Sequence, residues 1–184
     1  MLLDMRKRES PKPFPLKTYD DIYFDTCAIL EEGFRGCLRR IIPDLIRAEK
    51  RILIPYPVMQ ELSYLADGMT SNCSQQAGQA RKLVCKLAQE GLVQYTGDDQ
   101  ISEQADHYFV RTVSTDRFRR RIAVITQDRQ LTEDLNLLNR VGTVQAKPVH
   151  TYKLERGAPV CTKNQLTPGR TAGNAAAIFR RLGL

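Results

Sequence analysis

The sequence predicts an α/β fold: a three-layer α/β/α sandwich with a central parallel sheet of about five strands. Short apolar runs alternate along the chain with stretches of helical spacing, the order that βαβ units produce. The runs are continuous rather than alternating apolar and polar, as strands buried on both faces require. With 184 residues, 42% of them apolar and 27% charged, the chain has material for roughly one domain with a real core.

Residues 1–19 read as a basic, Pro-rich arm, because Pro11, Pro13 and Pro15 alternate with Lys12 and Phe14 and cannot continue a helix. Phe14 and Tyr19 are placed either to stack on bases or to pack on the body. The first strand is Ile22–Phe24, followed at once by Asp25, Thr26 and a helical stretch. The second, Ile52–Ile54, ends at Pro55, after which Val58, Leu62 and Leu65 keep helical spacing. Ser71 to Glu90 is a helix with Leu83 and Leu87 four apart and Gly91 as its stop. Leu92–Tyr95 forms the third strand, and Ile101–Val113 a helix with Ile101, Ala105, Tyr108, Phe109 and Thr112 on one face. Ile122–Thr126 is the strongest strand signal, followed by Asp128 and a helix through Leu131, Leu135 and Leu138. Val141–Ala146 gives the last strand, so the body covers residues 20–147. Residues 148–184 read as a basic, polar C-terminal extension, in which Ala175–Leu184 has the pattern of a short terminal helix.

No run approaches the roughly 18–20 apolar residues of a membrane-spanning helix, and the basic start lacks an apolar segment, so a cytoplasmic protein without membrane association is expected. Five scattered cysteines without metal-ligand spacing read as reduced, mostly buried thiols. The net charge of +7 sits in the flanks: residues 1–17 carry +3, residues 147–184 carry +6, and the body between them carries −2. The flanks, including Arg6, Lys7, Arg8, Lys147, Lys153, Arg156, Lys163 and Arg170, suit contact with nucleic-acid phosphates, with simple solubility as the competing reading. Arg117, Arg119, Arg120 and Arg121 are further candidates for RNA contact, but they precede a strand and so belong nearer the opposite edge from the strand ends.

Ligands of open parallel sheets bind beyond the carboxyl ends of the strands. There the chain delivers Asp25 after strand one and Thr126 and Asp128 after the strongest strand, while Glu61 lies one to two turns into the helix after strand two. Asp106, on the helix before Arg117, is a fourth candidate. Carboxylates converging on one cavity repel unless a cation occupies it, and an oxygen-only set suits Mg²⁺ or Mn²⁺. Such ions serve in-line phosphoryl displacement, which is nuclease chemistry. Each acid also has a bland reading. Asp25 and Asp128 are good helix N-caps, and Glu61 alone is an ordinary solvated helix residue.

The segments YFDTCAIL (residues 23–30), VMQEL (58–62) and AVITQDRQLTEDL (123–135), in that order, resemble the signature segments of the PIN domain. The resemblance covers about residues 20–147 and implies a divalent-metal-dependent endoribonuclease, in some members the toxin of a toxin–antitoxin pair. By position, Asp25 matches the first acid, Glu61 the second and Asp128 the fourth. Asp106 is preferred as the third over Asp98, Asp99, Glu103 and Asp116. Thr126 stands where the family carries Ser or Thr, and Thr26 and Thr126 are expected to support the acids. Gln130 replaces the frequent further Asp, and Asp134 lies one turn on, in reach only of an outer role. The resemblance further implies RNA as partner, an antitoxin or other protein partner, and a homodimer. The competing readings are a non-catalytic PIN-fold module for RNA binding or assembly, a doubly wound phosphotransfer protein, and a DNA rather than RNA substrate.

Overall fold

A computed structural model of the chain describes residues 13–68, 71–140 and 145–162. In chain order its elements are β1 (Asp21–Phe24), α1 (Thr26–Ile29), α2 (Phe34–Arg47), β2 (Ile52–Pro55), α3 (Tyr56–Asp67), α4 (Ser71–Gln89), β3 (Val93–Thr96), α5 (Ala105–Asp116), β4 (Ile122–Ile125), α6 (Arg129–Arg140), β5 (His150–Glu155) and β6 (Ala158–Cys161). The strands form one sheet in the order β3-β2-β1-β4-β5-β6. The first five run parallel and β6 pairs antiparallel to β5. With helices on both faces the domain is a three-layer α/β/α sandwich, and no described helix is long and apolar enough to cross a membrane.

The continuous apolar runs are buried for the reason the pattern implied. All four residues of β1 and all four of β4 are inaccessible, since helices cover both faces of these central strands. Phe24, Ile22 and Ile125 from the sheet meet Phe109 of α5 and Leu131 and Leu135 of α6 in the core. α2 buries Phe34, Cys37, Leu38, Ile41 and Leu45, one stripe at three- and four-residue spacing.

The order of the strands positions the site. From β1 the chain moves outward through β2 to β3, then returns to the other side of β1 with β4 and continues outward to β5 and β6. Phe24 and Ile125, the last residues of β1 and β4, lie side by side in register. The loops after them diverge in opposite directions and open a crevice at the point where ligands of such sheets bind.

The C-terminal half of the sheet departs from the sequence pattern. Of the expected last strand at 141–146, residues 141–144 lie outside the described residues; residues 145–149 are a turn and irregular chain, and β5 is His150–Glu155. Two strands therefore come from what reads as the extension, and the sheet continues past residue 147. They escape the pattern because β5 and β6 form an edge hairpin, in which Tyr152 and Leu154 go inward while Lys153 and Glu155 point away. Arg156 and Gly157 join them with φ of 50° and 73°, the left-handed pair that a two-residue type I′ turn requires.

α5 begins at Ala105 rather than Ile101. Gln104 is extended (ψ 142°) at the N-cap, so residues 97–104 are a loop and Ile101 is 52% exposed. At the far end of the described chain, Leu16–Thr18 form one turn of 3₁₀ helix. Phe14 packs edge-on to Tyr152 at 4.9 Å and Tyr19 is buried, so this part of the arm covers the body. Residues 1–12, the pattern at Ala175–Leu184 and the basic residues Arg6, Lys7, Arg8, Lys163 and Arg170 lie outside the described residues.

Candidate functional site

Asp25 is the first residue beyond β1 and caps α1, its Oδ1 accepting from the Thr26 backbone N–H at 2.7 Å. Its backbone N–H still bonds Ile125 in the manner of the sheet, which fixes the side chain at the crevice. Asp128 stands two residues past Thr126 and caps α6, its Oδ1 accepting from the Leu131 N–H at 2.9 Å. Both carboxylates thus serve helix termini, and the capping role and a site role coincide in the same atoms.

Two threonine hydroxyls hold the acids in place. The buried Thr126 Oγ1 donates to Asp25 Oδ2 at 2.8 Å and accepts from the Asp128 N–H at 2.9 Å, so one hydroxyl bridges the acids of β1 and β4. Thr26 Oγ1 donates to Glu61 Oε2 at 2.5 Å, tying α3 to the start of α1. The other oxygen of Glu61 accepts weakly from the Ala105 N–H at 3.4 Å, reaching the first turn of α5. Asp106 sits in that same turn, and its carboxylate accepts no hydrogen bond from the described residues.

Asp25, Glu61, Asp106 and Asp128 line one cavity of about 430 Å³, together with Thr26, Cys27, Gln104 and two leucines. None of the lining residues is basic. Burial pushes Asp106 up to about 6, and Asp25, Asp128, Glu61 and Asp134 each add to the shift through like charge. Asp25, only 4% exposed, is also raised by burial, against which the hydrogen bonds from Cys27, Thr126 and Thr26 work.

Of the competing third acids, only Asp106 reaches this cavity. Asp98 and Asp99 are exposed in the loop, where Asp98 accepts from the Gln100 N–H. Glu103 is paired with Arg111 at 2.7 Å, and Asp116 lies at the other end of α5. Asp134 is buried on α6, where Gln130 donates to it at 3.1 Å.

The candidate RNA contacts lie elsewhere. Arg117, Arg119, Arg120 and Arg121 precede β4 and occupy the amino edge of the sheet, opposite the acids. Arg120 is paired with Asp21 and Arg121 with Asp20, which holds the Asp20 carboxyl down to about 2. Arg117 is 5% exposed, and the Lys147 ammonium donates to the Arg119 carbonyl at this same edge. Lys153 is on β5, the strand beside the one that delivers Thr126, and does not line the acidic cavity.

Cys27 is a site residue that the sequence pattern did not single out. Its thiol contacts Asp25 Oδ2 at 2.7 Å and Thr126 Oγ1 at 3.3 Å, and burial beside Asp25 pushes it up to about 12, so it is a proton-bearing donor. Gln104 was hidden inside the expected helix. The one available signal for Cys27 was its place on the first turn directly after Asp25 and Thr26.

An oxygen-rich set of four carboxylates with no basic side chain among the described lining residues fits a hard divalent ion. Among the described residues, however, no three His, Cys, Asp or Glu side chains stand close enough together to hold one ion as they are. The acids share a cavity but are splayed around it.

No protein-family profile and no curated protein sequence matches this chain. Two solved structures are similar to it. One is described as the PIN domain endonuclease Utp24, at 14% identity and a TM-score of 0.48, covering 77% of this chain and 90% of that one. The other is a domain of a functionally unknown protein from Methanocaldococcus jannaschii, at 21% identity and a TM-score of 0.46, covering 73% of this chain and 91% of that one. The likeness is one of overall fold. At TM-scores below 0.5 it has no bearing on what this chain does.

Proposed function

We propose that the chain is a divalent-metal-dependent endoribonuclease, hydrolysing RNA phosphodiester bonds at the carboxyl edge of its sheet. The observation that carries this reading is the convergence of Asp25, Glu61, Asp106 and Asp128 on one cavity with no basic residue in its lining. Four acids gathered without a counter-charge, to the point that one is pushed up to about 6, are costly to the fold alone. The cost makes sense where a cation is to be held. Asp25, Glu61, Asp106 and Asp128 would hold Mg²⁺ or Mn²⁺, which when bound activates water and offsets charge on the phosphoryl and leaving oxygens.

The chain's own contribution is positioning. Thr126 ties the Asp25 carboxylate to the Asp128 backbone, and Thr26 fixes Glu61. Asp106, free of hydrogen bonds from the described residues, is the acid able to move inward when charge arrives. A protein inhibitor such as the antitoxin implied by the resemblance would have to fill the same cavity, where an Arg side chain suits the carboxylates.

The splayed arrangement of the acids favours one second reading, a non-catalytic RNA-binding or assembly module that keeps the fold. One experiment separates the two. A pool of labelled RNAs is incubated with wild type and Asp25→Asn, each with Mn²⁺, Mg²⁺ or EDTA. Metal-dependent cutting that disappears in the variant is the expected result. Binding without cutting under every metal, unchanged by Asp25→Asn, would establish the module instead.

A further inference from the structure

A second cavity, of about 520 Å³, adjoins the acidic one and is contiguous with it: Glu61, Leu65 and Gln104 line both. Its volume lies within the roughly 300–1,000 Å³ typical of small-ligand sites. Its own walls are Pro57, Gln60 and Tyr64 from α3, and Ser102 and Glu103 from the loop before α5. The composition differs sharply from that of its neighbour. Glu103 is neutralised by two hydrogen bonds from Arg111, at 2.7 and 3.1 Å, so Glu61 in the shared wall is its one unpaired charge. Among the described residues no Lys or Arg lines it, so it offers a phosphate no counter-charge. The groove offers an aromatic ring, a proline, a leucine, two carboxamides and a hydroxyl, a set that suits a flat, neutral group with hydrogen-bonding edges.

Tyr64 is the most telling member. It is 81% exposed, far more than the other large apolar side chains of the described chain, and it stands three residues from Glu61 on the same helix. A tyrosine ring left open to water beside a candidate phosphodiester site is placed as a stacking platform.

Resting on the nuclease reading above, we propose that this groove is a base subsite: it receives an unpaired nucleobase of the nucleotide next to the scissile phosphate, stacked on Tyr64. The Gln104 carboxamide and the carboxamide oxygen of Gln60, whose nitrogen donates to the Asp99 carbonyl at 3.3 Å, then face the base edge. A base held there is out of any duplex, so the substrate is single-stranded at the cut.

The test uses the full chain and a short, unstructured, fluorescein-labelled RNA, with the same RNA carrying one abasic residue at each position in turn. Binding is read by fluorescence anisotropy in EDTA and cleavage kinetics are read in Mn²⁺. Tyr64→Ala is expected to raise Kd and KM about tenfold while kcat changes little, and Tyr64→Phe to restore both. On the RNA that is abasic next to the cut, wild type and Tyr64→Ala should bind alike. Equal binding of wild type and Tyr64→Ala to the intact RNA would overturn the proposal. So would a loss in Tyr64→Ala that is just as large on every abasic RNA. If wild type cuts nothing under any metal, the nuclease reading fails by itself, and the anisotropy arm still decides the subsite.

Discussion

Asp106 offers the sharpest separation of a functional from a structural role. Its carboxyl is raised from an ordinary 3.8 to about 6 by burial and by four like charges. At about 1.4 kcal/mol per pH unit this corresponds to roughly 3 kcal/mol of unfavourable free energy in the folded, ionised state. The side chain is only about half buried, so solvent screening reduces the figure to about 1 kcal/mol. Between pH 3.8 and about 6 the folded chain holds a proton that the unfolded chain has released. Stability therefore falls as pH rises through that window, and the full penalty persists above it. Asp25, raised in the same direction, adds to the slope.

Asp106→Asn removes the charge and leaves the shape. In EDTA at neutral pH the variant is expected to be more stable than wild type by about 1 kcal/mol, with a shallower decline between pH 4 and 7. The assay is urea denaturation at several pH values, followed as a shift in midpoint at constant m. Excess Mn²⁺ should reverse the order, because a ligand at about 100 times its Kd stabilises the form that binds it by about 2.7 kcal/mol. Cleavage should fall in the same variant. A variant less stable than wild type in EDTA, or an unchanged pH slope, would refute the argument that the four acids are held together at a cost.

Thr126→Val keeps the shape of the side chain but strips one donor from Asp25 and leaves the Asp128 N–H without its acceptor. A loss of about 1–3 kcal/mol in urea denaturation is expected, along with reduced cleavage. Gly157→Ala should cost about 1–2 kcal/mol, because φ of 73° is left-handed and the new Cβ would lie 3.2 Å from the Gly33 carbonyl oxygen. Gly157 packs on Gly33 and Gly36 and lines neither cavity, so kcat/KM of that variant should match wild type when assayed well below its unfolding transition.

The parts of the fold legible in the sequence are those where burial on two faces leaves a run of apolar residues. β1 and β4 are such runs, and their ends deliver Asp25 and Asp128 to the crevice, so those two acids were readable from strand position alone. Glu61 and Asp106 were less so, because a helix residue reveals its direction only once the helix is docked. Asp106 gained its place when α5 began at Ala105, which puts it in the first turn beside Glu61. The same shift turned Ser102–Gln104 from helix surface into the wall of a groove. β5 and β6 were illegible because this end of the sheet lacks the continuous apolar runs of β1 and β4, and the polar residues alternating along β5 look like loop; the turn at Arg156 and Gly157 was the one local signal.

Charge is divided across the domain, and the division constrains how a nucleic acid can sit. The carboxyl edge of the sheet holds the acids, and the amino edge holds arginines of which Arg120 and Arg121 are committed to Asp21 and Asp20. A polyanion lying over the acids meets no cation among the residues that line either cavity. Attraction must then come from a divalent ion in the acidic cavity, from stacking in the groove beside it, and from basic residues of the flanks. The first acts at the scissile phosphate, the second reads an unpaired base, and the third is long-range and weakens as salt rises. High salt should therefore raise KM more than it lowers kcat, since Asp25, Asp128 and Glu61 are held in register by short, buried or part-buried hydrogen bonds that salt screens little.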